Sequence, residues 1–179
     1  MGSLEIPKIQ VELPIYHGTE DEVLSNGIGH LEGSSMPIGG KNTHAVLTGH
    51  RGLPSAELFS NLDQLERDDE FYIHIYNQIL AYKVDKIIVV KPNKTEYLKP
   101  IANEDHVTLL TCTPYGINSH RLLVRGIRTK YIPKHKAMIT KKTWPKEIII
   151  LSVLIGALIV MIGYKTVKKV RSRKNEKIS

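Results

Sequence analysis

Cysteine is almost absent from this chain, which has one cysteine, Cys112, among 179 residues. A single thiol excludes an intramolecular disulfide. Most lone cysteines are buried structural residues. The alternative is a thiol that is kept free for chemistry, and the residues around Cys112 have to distinguish the two.

Excess positive charge is missing from most of the chain, although the formal net charge is +7. Residues 1–140 contain 15 Lys and Arg against 16 Asp and Glu, which gives −1, whereas residues 141–179 contain ten against two, which gives +8. A nucleic-acid-binding domain would carry its positive charge on the folded part. We therefore expect no nucleic acid as a partner.

An export signal is not visible near the N-terminus, because residues 1–30 contain no apolar stretch of the usual length. Internal repeats and low-complexity stretches are absent from the sequence as well. We therefore expect the chain to be a fragment whose natural signal is missing. The alternative is a variant that reaches the cell surface in another way or not at all.

One long hydrophobic run is present, and it extends from Ile148 to Tyr164 without a charge. A helix of this length spans roughly 25 Å, and flanking lysines can extend its reach toward the bilayer core of about 30 Å. Trp144 and Tyr164 lie at its ends, as aromatic rings do at membrane interfaces. The alternative is a buried core helix, which the seven Lys and Arg of residues 165–177 disfavour.

The basic run predicts the orientation, because Lys and Arg concentrate on the cytoplasmic side of a membrane. We predict a single-pass protein of the cell membrane with an extracellular folded domain and a cytoplasmic C-terminus. Attraction to anionic membrane lipid accounts for the charge of the tail. The predicted boundaries are a folded domain over 1–133, a linker over 134–146, a transmembrane helix over 147–165 and a basic tail over 166–179.

The folded part has mostly the pattern of β-strands. A short helical turn that stops at Gly27 is predicted within residues 20–29, and a short helix is predicted over 52–62. Strand-like runs cover residues 6–18, 43–50, 70–90, 107–112 and 121–131. The longest run divides at a turn near Asn77, and the prolines in the first run are typical of an edge strand. Seven or eight short strands at this spacing predict a closed or nearly closed barrel.

Cys112 ends an apolar strand and precedes a turn that contains Pro114 and Gly116. A nucleophilic thiol needs exposure of this kind and a partner that favours the thiolate. His50 follows a strand end, where catalytic side chains often lie, and His44 is six residues earlier on the same face. The residue pattern leaves the partner open, because each histidine can equally be a surface or core residue. The eight candidates are His17, His30, His44, His50, His74, His106, His120 and His135.

Arg121 lies in the apolar run HRLLVRG, where burying an arginine is costly unless its donors are satisfied. Arg125 points to the same face of the strand, and Arg128 points to the other. These arginines are either ion-pair partners of carboxylates, or one of them lies beside Cys112 as a donor to a carbonyl or oxyanion.

The segment TLLTCTPYG resembles the TLxTC signature of sortases, the surface transpeptidases of Gram-positive bacteria. The segments NTHAVLTGHRGLPSAELFSNL and TPYGINSHRLLVRG resemble those of class C sortases, which assemble pili. The resemblance extends from Ile6 to Tyr131. It implies the eight-stranded sortase β-barrel with short helices. The C-terminal membrane segment is also typical of class C.

The resemblance also implies the roles of the site residues. Cys112 is the nucleophile, His50 is the general acid and base, and Arg121 binds the substrate carbonyl and the oxyanion. His44 and His120 become bystanders or supporting groups, and Arg125 becomes structural. No metal or cofactor is implied. Class C sortases usually carry an N-terminal lid with an Asp-Pro-aromatic anchor, and no such tripeptide precedes Ile6.

The implied activity is cleavage of an LPxTG-like sorting signal between Thr and Gly through a thioester. A pilin lysine then resolves the thioester, which polymerises the pilus. An anchoring sortase that uses a peptidoglycan amine is the first alternative, with the same fold and site. A non-enzymatic, membrane-tethered binding barrel is the second, and it predicts a buried and unreactive thiol at Cys112.

Overall fold

The structure is a computed structural model that describes residues 1–52, 57–133, 135, 154–156 and 161. The chain divides into two compact units, Met1–Thr140 and Lys141–Ser179. The first unit contains all the strands that follow. In the second unit, the described residues 154–156 and 161 are helical.

Eight strands and a few short helices form the first unit. The strands are β1 (Gly2–Ile6), β2 (Val11–His17), β3 (Ile28–His30), β4 (Thr43–Thr48), β5 (Glu70–Ile75), β6 (Gln78–Val90), β7 (Asp105–Thr113) and β8 (His120–Thr129). The helix α1 (Asp21–Asn26) lies between β2 and β3. Three 3₁₀ turns occur at Pro7–Ile9, Leu62–Gln64 and Glu96–Leu98.

The strands close into a barrel in the order β1-β2-β3-β4-β7-β8-β6-β5, and β5 pairs with β1. Two neighbouring pairs are parallel, β2 with β3 and β4 with β7. The other pairs are antiparallel. The predicted eight-stranded barrel is therefore confirmed. The closure leaves no strand of the described barrel at an open edge, which is how small all-β folds remove unpaired backbone groups.

Alternation of inward and outward side chains fills the barrel interior. In β7, for example, Val107 and Leu109 are buried and belong to the same apolar cluster. Burial of such side chains is the main favourable term for a fold of this size. The largest fully buried side chains are Tyr72, Tyr82, Phe59, Phe71, Leu4, Ile6, Ile15, Ile28, Leu47, Leu62, Ile73 and Leu80.

The N-terminal region differs from the prediction. Residues 2–17 form two antiparallel strands around the 3₁₀ turn at Pro7–Ile9, rather than one interrupted edge strand. The chain reverses at Gln10, whose φ of 55° lies in the left-handed region. The strand β2 pairs on both sides, because its proline, Pro14, precedes Ile15, where the pairing with β3 begins.

The predicted transmembrane helix lies almost wholly outside the described residues. Within the described part of the chain, no helix has both the length and the hydropathy needed to cross a membrane. The predicted linker and the basic tail also lie largely outside that part. The boundaries proposed for these segments remain predictions.

Candidate active site

Cys112 and Arg121 are opposite each other on neighbouring antiparallel strands. The strand β7 carries the cysteine near its C-terminal end, and β8 carries the arginine near its start. Directly opposed residues of such a pair point to the same face, with Cβ atoms about 4.5–5.5 Å apart. The hairpin therefore places the guanidinium and the thiol on one side of the sheet.

His50 reaches the same end of the barrel through a parallel strand pair. The strands β4 and β7 run in the same direction, with Thr48 opposite Leu110. His50 and Cys112 each lie two residues further along, so both follow the same register at the same edge of the sheet. The backbone carbonyl of His50 accepts a 3.1 Å hydrogen bond from the N–H of Phe59, which fixes the chain after β4.

Two side-chain hydrogen bonds connect the neighbours of His50 to the neighbours of Cys112. The hydroxyl of Thr111 donates to the carbonyl of Gly49 at 2.8 Å, and both groups are buried. On the other side, Nη1 of Arg51 donates to the hydroxyl of Thr113 at 3.2 Å. The residues just before and just after His50 are therefore hydrogen-bonded to the residues just before and just after Cys112.

The three predicted site residues line one cavity of about 230 Å³. Its polar groups include His50, Cys112 and Arg121. Apolar side chains form much of the remaining wall, which suits an extended peptide that carries both kinds of group. The other lining residues are Thr19, Leu24, Leu31, Thr48, Gly49 and Leu110.

Cys112 is partly exposed rather than buried, and it forms no disulfide. A structural cysteine is normally among the most buried residues of a domain. Thr111, one residue earlier, is buried. The strand thus turns its thiol toward the cavity and its preceding hydroxyl toward the interior, as the two-residue period of a strand requires.

Arg121 uses one of its three guanidinium nitrogens for hydrogen bonds within the described residues. Its Nη1 atom donates to the carbonyl oxygens of Asn118 and His120, each at 3.0 Å. These two bonds hold the guanidinium beside the end of the turn that connects β7 to β8. Its Nε and Nη2 atoms make no hydrogen bond to the part of the chain that the structure describes.

The competing histidines lie elsewhere. His44 is buried inside the barrel wall, where its ring nitrogens bond the carbonyl of Lys99 at 3.0 Å and the hydroxyl of Thr108 at 2.7 Å. Burial lowers the pKa of His44 below its usual value, although the Lys99 carbonyl opposes this effect. His120 contacts Ser119 at 2.9 Å and does not line the cavity.

The other two arginines of β8 have structural partners. Arg125 donates from Nε and Nη2 to the carboxylate of Asp85. Arg128 lies 3.6 Å from Asp105 and stacks over the ring of Tyr82. The ion-pair interpretation therefore applies to these two residues, whereas Arg121 has no carboxylate partner within the described residues.

Several cavity residues were not predicted from the sequence. Thr19, Leu24 and Leu31 come from the region around α1 and β3, and nothing in their local sequence links them to Cys112. Arg51 was also missed, although its position beside His50 in the segment TGHRG was a usable signal.

A metal site is not visible, since the described residues contain no group of three or more His, Cys, Asp or Glu that could hold a metal ion.

Comparisons with known proteins identify the family of the chain. The sortase domain family matches residues 4–129. Sortase D of Bacillus subtilis is 32% identical over 130 residues, which are 71% of this chain and 63% of that protein. Sortase A of Bacillus anthracis is 29% identical over 126 residues, which are 70% of this chain and 58% of that protein. The chain therefore spans less than two thirds of the length of these relatives.

Solved structures give a higher identity. A crystal structure of Streptococcus pneumoniae sortase C is 57% identical, with a TM-score of 0.72, and covers 73% of this chain and 68% of that one. Streptococcus agalactiae sortase C1 has the same identity, TM-score and coverage. The resemblance to class C is thus confirmed. Because the family match spans most of the chain, this protein belongs to the sortase family.

Proposed function

We propose that the chain is a cysteine transpeptidase that cleaves an LPxTG-like sorting signal and joins it to an amine. The observation that carries this proposal is the convergence of Cys112, His50 and Arg121 on one cavity. A thiol, an imidazole and a guanidinium supply the nucleophile, the proton-transfer group and the oxyanion donor that acyl transfer needs.

The first step forms the acyl-enzyme. The Cys112 thiolate attacks the carbonyl carbon between Thr and Gly of the sorting signal. Collapse of the tetrahedral intermediate breaks the C–N bond and leaves a thioester on the sulfur. The imidazolium of His50 transfers its proton to the departing glycine amine, which leaves as the neutral amine.

Arg121 stabilises the charge that develops on the carbonyl oxygen. The cross-strand register with Cys112 places its side chain on the same face as the attacking sulfur. Its free N–H groups can point at the oxyanion, and a guanidinium offers them in a fixed planar fork. Such a donor acts most strongly where water is excluded, which the partly apolar cavity favours.

The second step transfers the acyl group to a lysine amine. His50, now neutral, accepts a proton as the amine nitrogen attacks the thioester carbon. The C–S bond breaks, the thiolate of Cys112 is restored, and an isopeptide bond remains. Histidine thus acts as acid in one half-reaction and as base in the other, which is general acid–base catalysis in both directions.

The proposed acceptor is a pilin lysine. Support comes from the similarity to S. pneumoniae sortase C, whose structure concerns catalysis and pilin substrate specificity. A peptidoglycan amine as acceptor is the second candidate, favoured by the similarity to sortases of other classes. Both functions use the same site and differ only in the amine that resolves the thioester.

A non-enzymatic binding barrel would not need the partly exposed thiol.

The proposed location is the cell membrane, with the barrel outside and the C-terminus in the cytoplasm. Support comes from the uncharged run Ile148–Tyr164 and from the basic residues after it. Protease added to intact cells should then digest the barrel and spare the tail. Digestion of the tail with an intact barrel would indicate the opposite orientation. Recovery of the whole chain in the soluble fraction would contradict a membrane anchor.

Intact-mass measurement of the full chain with an LPxTG peptide tests the reaction. We expect an added mass equal to the peptide cleaved after Thr, and no adduct with Cys112→Ala. A chain that forms no adduct and whose thiol also resists alkylation would support the binding-barrel alternative. Adding either a pilin lysine peptide or a cross-bridge amine to the preformed adduct then identifies the acceptor by which one releases it.

A further inference from the structure

Arg51 is a charged residue that is nearly buried beside the catalytic cavity. Only 9% of its side chain is exposed. Its guanidinium makes contacts in three directions, to the Thr113 hydroxyl, to the Asp63 carboxylate at 2.6 Å and to the face of the Tyr115 ring at 5.9 Å. Burying a guanidinium costs free energy unless its donors are satisfied. Nη1 and Nη2 have hydrogen-bond partners, whereas the buried Nε has none within the described residues. The partners of Nη1 and Nη2 define one orientation of the side chain.

The contacts of Arg51 join two segments that carry different catalytic groups. Arg51 directly follows His50, at the end of β4. Thr113 and Tyr115 directly follow Cys112, at the end of β7. Two of the three groups that contact the guanidinium, Thr113 and Tyr115, therefore belong to the segment that carries the thiol, whereas the backbone of Arg51 belongs to the segment that carries the imidazole. The third group, Asp63, lies in the 3₁₀ turn Leu62–Gln64.

The packing around this junction leaves little room for adjustment. A Cβ atom on Gly52 would lie 2.8 Å from the Tyr115 ring, so the two segments touch there as well. The Gly52 N–H donates to the hydroxyl of Ser60 at 3.0 Å, which anchors the His50 segment from its other side. Movement of the His50 segment away from Cys112 would break these contacts together.

We propose that Arg51 is a positioning residue that holds the His50 segment against the Cys112 segment. The inference rests on the proposed transpeptidase function and extends it to a residue that does not line the cavity. Proton transfer requires the imidazole within hydrogen-bond reach of the reacting atoms. A misplacement of about 1 Å can cost on the order of 100-fold in rate, so a small displacement of this segment has a large kinetic effect.

Lysine cannot replace arginine in this role. A guanidinium reaches Thr113 and Asp63 with separate N–H groups while its plane faces Tyr115. An ammonium is a compact point charge on a flexible stem and lacks this fork. Arg51→Lys therefore retains the positive charge and loses the geometry, whereas Arg51→Gln loses both.

The test compares Arg51→Lys, Arg51→Gln and Asp63→Asn with the wild type in the full chain. The matched control is Asp85→Asn, which disrupts the Arg125–Asp85 pair, another partly buried Arg–Asp contact. Arg125 lies four residues along β8 from Arg121, roughly 13 Å at strand spacing. For each protein we would measure kcat and KM for LPxTG-peptide cleavage, the rate of Cys112 alkylation by iodoacetamide, and the thermal unfolding midpoint.

We expect kcat to fall by about 10- to 100-fold in both Arg51 variants, with KM changed by less than about twofold. Alkylation needs only the thiol, so its rate should stay near that of the wild type. Asp63→Asn should give a smaller loss of kcat, because the bond to Thr113 remains. It also serves as the milder variant if Arg51→Gln does not fold. The control should keep the wild-type kcat.

Three results would overturn the inference. Wild-type kcat in Arg51→Lys would mean that only the charge matters. An equal loss in Asp85→Asn would mean that any destabilised Arg–Asp pair slows the enzyme. Unchanged kcat in Arg51→Gln would remove the role entirely. A wild-type protein that cleaves no peptide and forms no adduct is a different outcome, because it contradicts the proposed function itself.

Discussion

The hydroxyl of Thr111 donates a 2.8 Å hydrogen bond to the carbonyl of Gly49 inside the barrel wall. The two residues immediately precede Cys112 and His50. The bond therefore joins the strand that carries the thiol to the strand that carries the imidazole, at a point shielded from water. It is the inner counterpart of the contact between Arg51 and Thr113.

The first prediction concerns this bond. Thr111→Val keeps the shape of the side chain and leaves the Gly49 carbonyl without its donor. We expect the free energy of unfolding to fall by about 1–3 kcal/mol, measured by urea denaturation, and the rate of acyl-enzyme formation to fall as well. Thr129→Val, at the partly exposed end of β8, is the control and should change neither quantity. Full activity in Thr111→Val would show that the bond does not position the site.

The second prediction concerns Arg121. Its only hydrogen bonds within the described residues are to carbonyls of its own turn, so replacing it should affect catalysis more than folding. We expect Arg121→Gln to reduce single-turnover acylation by about 10²- to 10³-fold, with little change in the thermal unfolding midpoint. A loss of folded protein that accounts for the reduced rate would assign Arg121 a structural role instead.

The third prediction concerns stability in acid. Burial lowers the pKa of both His44 and His106, with the nearby Arg125 adding to the effect and Asp85 opposing it. The Nε2 atom of His106 lies 3.3 Å from the Glu104 carboxylate, yet neither of its ring nitrogens makes a hydrogen bond within the described part. Both rings therefore bind a proton less readily in the folded protein than in the unfolded chain.

The sign of the pH effect follows from these lowered pKa values. Below about pH 6.5 the unfolded chain binds protons at these histidines, while the folded chain does not until its lower pKa is reached. The free energy of unfolding is therefore highest above about pH 6.5. It decreases as the pH falls below that value, by up to about 1.4 kcal/mol per pH unit for each histidine. Urea denaturation at several pH values measures it. His106→Leu should flatten the dependence, and an unchanged slope would contradict the assignment.

The fourth prediction concerns Gly52. Its φ is +82°, and an added Cβ would meet the Tyr115 ring at 2.8 Å. Gly52→Ala should therefore combine a backbone cost of about 1–3 kcal/mol with a steric cost. Gly33 has a similar φ of +79° and nothing within 4 Å of an added Cβ, so Gly33→Ala measures the backbone cost alone. Equal losses of unfolding free energy in the two variants would mean that the contact with Tyr115 is not tight.

Much of the barrel was predictable because the long strands alternate or are continuously apolar. The strands β5 and β6 and the turn at Tyr76 and Asn77 follow the predicted division of the longest run. The short strand β3 was missed, because the sequence analysis assigned no strand after the helical turn that stops at Gly27. Three residues give no periodic signal, and pairing with β2 and β4 is what makes them a strand.

The site was predictable only in part. Cys112 and Arg121 lie in one continuous segment, and the β7–β8 hairpin makes them neighbours. The choice of Arg121 over Arg125 and Arg128 nevertheless needed the resemblance to sortases. The choice of His50 among eight histidines needed the resemblance to sortases, since its proximity to Cys112 depends on the parallel pairing of β4 and β7. The contacts of Arg51 with Asp63 and Thr113 could not be predicted from the sequence, because the three residues come from three separate segments.

The parallel pairing of β4 with β7 has a consequence for when Cys112 and His50 come together during folding. The two strands are separated by the whole of β5 and β6 along the chain. Forming such a long-range contact therefore costs loop-closure entropy before the packing of the barrel can compensate for it. In an unfolded or partly folded chain, Cys112 and His50 are independent groups. Closure of the barrel therefore brings Cys112 and His50 to the same end of the sheet, and an incompletely folded chain lacks this arrangement.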